Sequence, residues 1–355
     1  MERSSSHSNA STLLNQSITV NSTSKTYIVS PLPLTIKITM TIVMALVGSG
    51  GLVANCLLLY IVRKQEKIRK KGRIVKSFTR ILTPYFIQSL ALSDFLCSLV
   101  NLPVFIAQLY SGIVQNEWGC RSVRYLNLFF AVVTLNNLLV IGIERYMALF
   151  YPFLLPSPKF SKNLVILAWI AGAVIVIVPV ATFKTEPIDL GVHEYTVICR
   201  YEKTVPVYRA MFIGFTVVNY VIPSIILTIT NIQILIFLKR QKNASNSAKQ
   251  TVANSWRFND TKMFVSLIFA FVVPYCLYVI YSGLNIALKV NLSFTVDYVV
   301  RRVSGIIAYS NALVSPIIIF SSMLSLRNML RNLIKKVFCL KRNARVSEAN
   351  PAVLP

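Results

Sequence analysis

Two features of this sequence place charge where charge is costly. Glu144 and Arg145 end a run of residues, 125–143, that contains no charged side chain, and Asp94 stands alone inside another uncharged stretch. A charged group removed from water is strongly unfavourable unless it is paired, protonated or hydrated. Asp94 is therefore interpreted as a functional site. The alternative is a protonated carboxyl group that only bonds neighbouring helices.

The element that must position these groups is a membrane-spanning helix. Of the 355 residues 55% are apolar and 14% are charged, against about 25% charged in average globular domains. About 20 apolar residues at 1.5 Å each cross the roughly 30 Å hydrocarbon core of a bilayer. The sequence therefore predicts an all-α membrane protein, a bundle of seven transmembrane helices. The seven stretches almost free of charge are 38–62, 81–118, 125–143, 164–183, 210–238, 263–288 and 303–326.

Basic residues fix the predicted orientation of the bundle. If the amino terminus is outside the cell, 25 of the 37 Lys and Arg residues lie on the cytoplasmic side, as the positive-inside rule requires. We therefore expect a multi-pass plasma-membrane protein with an extracellular amino terminus and a cytoplasmic carboxyl terminus. The net charge of +25 is assigned to topology and to membrane lipids, and not to nucleic acid. Three glycosylation sequons in the amino-terminal tail agree with this orientation, at Asn9, Asn15 and Asn21.

The cysteines predict one disulfide bond. Of the six, three lie within predicted spans and Cys339 is on the predicted cytoplasmic side. Only Cys120 and Cys199 remain on the oxidising side, so they are the available extracellular pair. Their bridge would tie the outer end of the third helix to the loop before the fifth.

The segment after the seventh span predicts an eighth helix. Apolar residues within 326–338 recur at three- and four-residue spacing, with Arg and Lys between them. This pattern is typical of an amphipathic helix in the membrane interface. Cys339 is a candidate for palmitoylation, with a free cysteine as the alternative. The predicted domains are a glycosylated extracellular tail at 1–35, the bundle at 36–320, the interfacial helix at 321–340 and a cytoplasmic tail at 341–355.

The order of motifs resembles that of rhodopsin-like (class A) G-protein-coupled receptors, over residues 36–340. The resemblance is carried, in chain order, by Asn55, the Leu-Ala-x-x-Asp of 90–94, Trp118-x-Cys120, Glu144-Arg145-Tyr146 with Pro152, Trp169, Cys199, Pro223, Pro274 and Pro316. It implies a receptor that activates a heterotrimeric G protein, with arrestin as a further partner. The residues that it assigns to coupling and activation are Glu144, Arg145, Tyr146, Pro152, Pro274 and Pro316.

The same resemblance implies an ion site. Asp94 with Thr134, Asn311 and Ser315 is similar to the pocket in which many such receptors hold a sodium ion that favours the inactive state. One carboxylate with three neutral oxygen-bearing side chains suits a small hard cation. No other cofactor is expected.

The chain departs from the family pattern at four positions that, in the family, take part in activation. Val272 stands where Trp is usual, Ile319 and Asn231 stand where Tyr is usual, and Asn254 stands where an acid often pairs with Arg145. These departures permit high basal activity, an unconventional relay or weak coupling. They also leave open a receptor that binds or scavenges ligand without signalling.

The ligand is predicted by position only. Asn127 stands where amine receptors carry Asp, which disfavours a monoamine, and the seventh span has no Lys for a retinal Schiff base. A peptide is preferred. Arg124, Arg301 and Arg302 could meet a carboxylate on a peptide or a lipid, or they could be lipid-headgroup anchors, which is the preferred interpretation of Arg302. The candidate ligand-binding residues are Gln108, Arg124, Asn127, Tyr275, Tyr278, Arg301 and Tyr309.

Other function classes are disfavoured. A transporter or channel would be expected to carry several intramembrane charges or an internal repeat, and this chain shows one deep carboxylate and no repeat. An enzyme is not expected, because the sequence has no cluster of metal ligands or nucleophile–base set, and His7 and His193 both lie outside the spans.

Overall fold

The computed structural model describes residues 25–71, 78–154, 157–191, 193–202, 204–245, 252–288 and 293–349. The predicted glycosylation sites Asn9, Asn15 and Asn21 lie outside this part. So do the side chains of Pro152, Asn254 and Cys339.

Within the described residues, seven helices are long and apolar enough to cross a membrane, which confirms the predicted helical bundle. We call them the first to seventh spans: Leu34–Ile68, Thr83–Tyr110, Glu117–Phe150, Lys159–Val180, Pro206–Arg240, Thr261–Tyr281 and Phe294–Ser322. An eighth helix, Leu324–Ala349, follows the last span.

Several spans are interrupted where their sequence disturbs regular hydrogen bonding. The second span runs as Phe78–Leu96, a π-helical turn Cys97–Asn101 and Leu102–Tyr110. The fourth runs as Pro158–Ile175 and Ile177–Val180, after a short 3₁₀ turn at Pro152–Leu154. The fifth runs as Pro206–Thr216, a π-helical turn Val217–Val221 and Ile222–Ser245. The sixth belongs to the continuous helix Val252–Leu288, and the seventh runs as Phe294–Tyr309 and Asn311–Ser322.

Pro316 shows how one such disturbance is compensated. A proline has no N–H, so the carbonyl of the residue four positions earlier, Ala312, loses its helical donor. The amide of Asn55 donates to that carbonyl at 2.7 Å, and to the carbonyl of Gly51 at 2.9 Å. Gly51 lets the first span lie close to both neighbours, because a Cβ there would lie 2.6 Å from the hydroxyl of Ser98 in the second span and 3.4 Å from the carbonyl oxygen of Ala312 in the seventh. Asn55 therefore joins the first span to the seventh at the proline.

The third span is joined to its neighbours by buried polar contacts. The indole of Trp169 donates to the hydroxyl of Ser89 at 3.0 Å, and this hydroxyl donates to the amide oxygen of Asn137 at 3.0 Å. Ser93 and Thr134 share a hydrogen bond of 2.5 Å. These bonds fix the second, third and fourth spans side by side within an otherwise apolar core.

A small sheet covers one end of the bundle. Its strands are β1 (Thr26–Tyr27), β2 (Phe183–Asp189) and β3 (Glu194–Tyr201), in the order β1-β3-β2. β2 and β3 form an antiparallel hairpin, to which β1 adds in parallel.

A disulfide bond between Cys120 and Cys199 attaches β3 to the start of the third span, which confirms the predicted pair. We call this end of the bundle the disulfide end, and the opposite end, where Glu144 and Arg145 lie, the Glu144 end.

Candidate functional site

The Glu144 end holds a buried ion pair. A carboxylate oxygen of Glu144 lies 3.1 Å from Nε of Arg145, and both side chains are at most 5% exposed. The two groups do not meet with hydrogen-bond geometry, and both oxygens of Glu144 lack a hydrogen-bond donor. The pair is therefore held by charge attraction without the directional bonds that make buried pairs strong.

Arg145 has two further partners that the sequence analysis missed. Its Nη2 donates to the hydroxyl of Thr83 at 2.8 Å. Its guanidinium lies 4.8 Å from the ring centre of Phe264 in the sixth span, within the range of a cation–π interaction. Both contacts cross between helices that are far apart in the chain, so no local pattern could have revealed them.

Polar Asn231 is buried near the same end without a partner. It is 1% exposed, and neither atom of its amide has a hydrogen bond. A buried amide without partners costs free energy. Asn231 stands where the resemblance expects a tyrosine, and its unpaired amide destabilises this conformation.

Tyr146 faces away from the ion pair. Its ring packs 4.7 Å from that of Phe150 and 6.2 Å from that of Tyr151, measured between centres. Phe150 in turn meets Phe237 of the fifth span. Tyr146 therefore belongs to the packing between the third and fifth spans.

The predicted ion site is assembled in the middle of the bundle. Asp94, Thr134 and Asn311 line one small cavity of about 10 Å³. The hydroxyl of Ser315 donates to the amide oxygen of Asn311 at 3.3 Å and lies close to the carboxyl group of Asp94. Oδ2 of Asp94 is buried and without a hydrogen-bond partner. The orphaned carboxylate oxygen beside neutral oxygen donors fits a small hard cation.

Aromatic rings form the opposite wall of this cavity. Phe271 and Tyr275 line it and stack with ring centres 4.3 Å apart, and Tyr275 stacks on Tyr220 at 6.4 Å. Val272 is the residue at the position that the resemblance gives to tryptophan. Phe271, its neighbour in the chain, supplies an aromatic ring that the sequence analysis had not considered.

Three arginines lie near one another at the disulfide end: Arg124, Arg301 and Arg302, which we call the arginine cluster. The guanidinium of Arg124 lies near those of Arg301 and Arg302 and near the side chains of Tyr278 and Tyr309. Of the predicted ligand-binding residues, Asn127 lies one turn from Arg124 along the third span, and Oδ1 of Asn127 is buried without a partner.

The interpretation of Arg302 as a headgroup anchor is wrong. Arg302 donates to Oε1 of Gln108 at 3.2 Å and to the hydroxyl of Tyr298 at 3.0 Å. Its guanidinium lies 4.7 Å from the ring centre of Phe105. Because Gln108 and Phe105 are both buried, Arg302 faces the interior of the bundle.

The other predicted ligand-binding residues are divided between two places. Gln108 and Arg301 belong with the arginine cluster through their contacts, whereas Tyr275 and Tyr309 line the cavity beside Asp94. Tyr309 belongs to both places, because it lines the cavity beside Asp94 and also lies near Arg124 of the arginine cluster. The two groups of predicted ligand-binding residues therefore adjoin at Tyr309.

Comparison with known proteins gives matches that cover most of the chain. The model of the 7 transmembrane receptor (rhodopsin family) matches residues 54–319. The RYamide receptor of Tribolium castaneum is 30% identical over 285 residues, which cover 74% of this chain and 74% of that receptor.

Other proteins match shorter parts of the chain. Prokineticin receptor 1 of Bos taurus is 36% identical over 116 residues, which cover 31% of this chain and 28% of that receptor. Melanopsin-B of Xenopus laevis is 29% identical over 128 residues, which cover 35% of this chain and 22% of that protein. In these two comparisons the chain spans less than a third of its relative.

Proposed function

Because this chain belongs to the rhodopsin family of seven-transmembrane receptors, we propose that it binds an extracellular peptide and activates a heterotrimeric G protein in response. It is a multi-pass membrane receptor of this family and not an enzyme. The ligand class, the orientation and the coupling are our inference from the site.

The observation that carries the proposal is the set of contacts around Arg145. A guanidinium buried at one end of a seven-helix bundle is unfavourable unless its partners compensate it. Here the partners come from three spans: Glu144 of the third, Thr83 of the second and Phe264 of the sixth. Displacement of the sixth span would remove Phe264 and release Arg145, which gives a switch between two arrangements.

The proposed orientation puts the disulfide end outside the cell. Disulfide bonds form on the oxidising side of a membrane, and the excess of Lys and Arg falls on the other side. Arg145 then opens towards the cytoplasm, where a G protein and arrestin would bind.

The peptide preference is supported by similarity and by chemistry. Two relatives are receptors whose names refer to RYamide and to prokineticin. Similarity to melanopsin-B does not favour a retinal ligand, since residues 294–322 contain no lysine for a Schiff base.

A sodium ion is proposed as a regulator of the same receptor. Asp94, Thr134, Asn311 and Ser315 would hold the ion, whose positive charge would balance the carboxylate of Asp94. Asp94→Asn should then remove any sodium dependence of ligand affinity, measured by binding in sodium against N-methylglucamine buffer. A sodium effect that the variant retains would place the ion elsewhere.

The proposal is tested by a peptide screen with a readout of nucleotide exchange over a broad panel of G proteins, basal exchange included. Arg145→Ala should abolish basal and stimulated exchange while ligand binding persists, and Arg331→Ala, on an exposed arginine of the eighth helix, should not. Unchanged exchange in Arg145→Ala would contradict the proposed role.

A second candidate is a receptor that binds or scavenges ligand without signalling. The observations that favour it are the losses at Val272, Asn231 and Ile319. Specific, saturable binding with no exchange on any G protein, in the wild type, would support this alternative over the first.

A further inference from the structure

We propose that the peptide ligand presents a carboxylate to Arg124, within the arginine cluster at the disulfide end. The inference rests on the proposed function, because it concerns the ligand of the same receptor. It goes further by assigning the chemical group that the ligand must carry and the residue that receives it.

Arg124 has hydrogen-bonding capacity that the described protein does not use. Its Nη2 donates to the carbonyl of Cys199 at 2.5 Å, and its guanidinium lies 5.2 Å from the ring centre of Phe183. A guanidinium has five N–H donors, and Nε of Arg124 is buried without an acceptor. A neutral carbonyl and a ring position the side chain without neutralising its charge.

The neighbouring arginines differ in what they contact. Arg301 is paired with Asp297, whose two oxygens accept from Arg301 at 2.8 Å and from the hydroxyl of Tyr281 at 2.6 Å. Asp297 is therefore already committed. Among the residues that the structure describes, Arg302 contacts the neutral groups of Gln108 and Tyr298 and the rings of Phe105 and Tyr298.

The cluster therefore carries a surplus of positive charge. Three guanidinium groups share one carboxylate among their described partners, which leaves two charges without a counter-ion. The charges of Arg301 and Arg302 act unfavourably on that of Arg124. An anion that reached Arg124 would relieve this repulsion and would accept from its free donors.

A carboxylate matches the fork of donors that a guanidinium presents. In a peptide this group comes from two sources, the carboxyl terminus or the side chain of Asp or Glu. The inference covers both, and the experiment separates them.

The probes are three pools of hexapeptides, tested on the full chain in lipid nanodiscs. The first pool has free carboxyl termini and no Asp or Glu. The second has the same sequences as carboxy-terminal amides. The third has amidated termini and one Asp or Glu per peptide. Binding is read as a rise in the thermal unfolding midpoint, and signalling is read separately as nucleotide exchange.

We expect the first or the third pool to raise the midpoint and the second to leave it unchanged. Which of the two acts identifies the source of the carboxylate. Stabilisation by the second pool equal to that by the others would overturn the inference, as would no stabilisation by any pool. The proposed function is judged apart from this result, by whether Arg145→Ala lowers basal exchange.

Three variants locate the carboxylate once an active pool is found. Arg124→Gln should weaken its apparent affinity by about 30-fold or more, since one partner of a buried charge pair is removed. Arg124→Lys should recover part of the loss. Arg121→Gln is the matched control: it removes the same charge from the same helix, but Arg121 is already paired with Glu117 at 3.2 Å.

Equal affinity of wild type and Arg124→Gln would assign the carboxylate to another residue and overturn the inference. Where Arg124→Gln does not reach the membrane, the comparison of acid and amide pools on the wild type decides.

Discussion

Two arginines stand on the same helix, one buried (Arg145) and one half-buried (Arg124), and their surroundings differ. Arg124 and Arg145 are separated by 21 residues of the continuous helix Glu117–Phe150, or about 31 Å at 1.5 Å per residue. Arg145 has a carboxylate, a hydroxyl and an aromatic ring around it. Arg124 has a carbonyl and a ring, and no carboxylate among its described partners.

A cation inside a helical bundle can serve two purposes, according to its partners. A cation whose counter-ion is built into the protein is held in one arrangement, and changes state only when the helices around it move. A cation without one retains capacity for an external anion. The same residue type therefore supports a conformational switch at the Glu144 end and a ligand contact at the disulfide end.

The rigidity around the two arginines also differs. At the disulfide end a covalent bond, a three-stranded sheet and the ion pair of Arg200 with Glu186 hold the surface of the site. At the Glu144 end Arg145 is held by non-covalent contacts among the described residues: an ion pair, a hydrogen bond and a cation–π contact. A preformed site favours binding, whereas a loosely held one favours a change of conformation.

The largest expected effect comes from removing the covalent bond. The double change Cys120→Ala and Cys199→Ala opens a closed loop with a sequence separation of 79 residues, which should lower the free energy of unfolding by about 4 kcal/mol. It should also weaken ligand binding, because the carbonyl of Cys199 positions Arg124. Thermal unfolding and ligand affinity measure the two effects.

Cys56→Ala, on a free cysteine of the first span, is the control for that change and should leave both quantities near their wild-type values. Non-reducing mass spectrometry of the wild type should recover Cys120 and Cys199 as one linked peptide pair. Free thiols at both cysteines would mean that no covalent bond holds the disulfide end rigid.

Glu144→Gln should have the next largest effect, at the other end. It leaves Arg145 buried without a counter-ion, which costs the resting arrangement about 3 kcal/mol. Basal nucleotide exchange should therefore rise at least tenfold. Glu117→Gln breaks an exposed pair on the same helix and should change exchange little. Equal exchange in wild type and Glu144→Gln would show that the pair does not hold Arg145.

Asn231→Leu should stabilise the Glu144 end. It replaces a buried amide that has no hydrogen bond with an apolar side chain of similar size, which should raise the free energy of unfolding by about 1–2 kcal/mol. Asn219→Leu is the matched control on the same span, because the amide of Asn219 donates to the carbonyl of Phe215 at 3.1 Å. A variant Asn231→Leu that is less stable than wild type would mean that the amide has a favourable role at rest.

Thr83→Val should have the smallest effect of the four. It removes the hydroxyl that accepts from Arg145 and keeps the shape of the side chain, at a cost of about 1 kcal/mol to the resting arrangement. Basal exchange should rise about fivefold. Thr39→Val, where the hydroxyl bonds only to the carbonyl of Thr35, should not change it. No rise in Thr83→Val would assign the restraint on Arg145 to Glu144 and Phe264 alone.

Much of the molecule followed from local patterns in the chain. Long apolar stretches specify membrane helices because backbone groups in lipid must bond within their own segment, so the seven spans were predictable. The disulfide bond was predictable as well, because the sidedness of the spans left one pair of cysteines on the oxidising side. The set around Asp94 came from motif order, and the structure places Thr134 and Asn311 beside it in one cavity.

Tertiary structure alone decided which groups meet each arginine. Thr83 and Phe264 reach Arg145 across helices separated by tens to more than a hundred residues of chain, and Phe271 supplies the ring beside a valine where tryptophan was expected. Arg302 was misassigned for the same reason, since adjacent residues on a helix point in different directions and only the packed bundle defines its inner side. Side-chain partners depend on the rotation and offset of whole helices, which no single helix records in its own sequence.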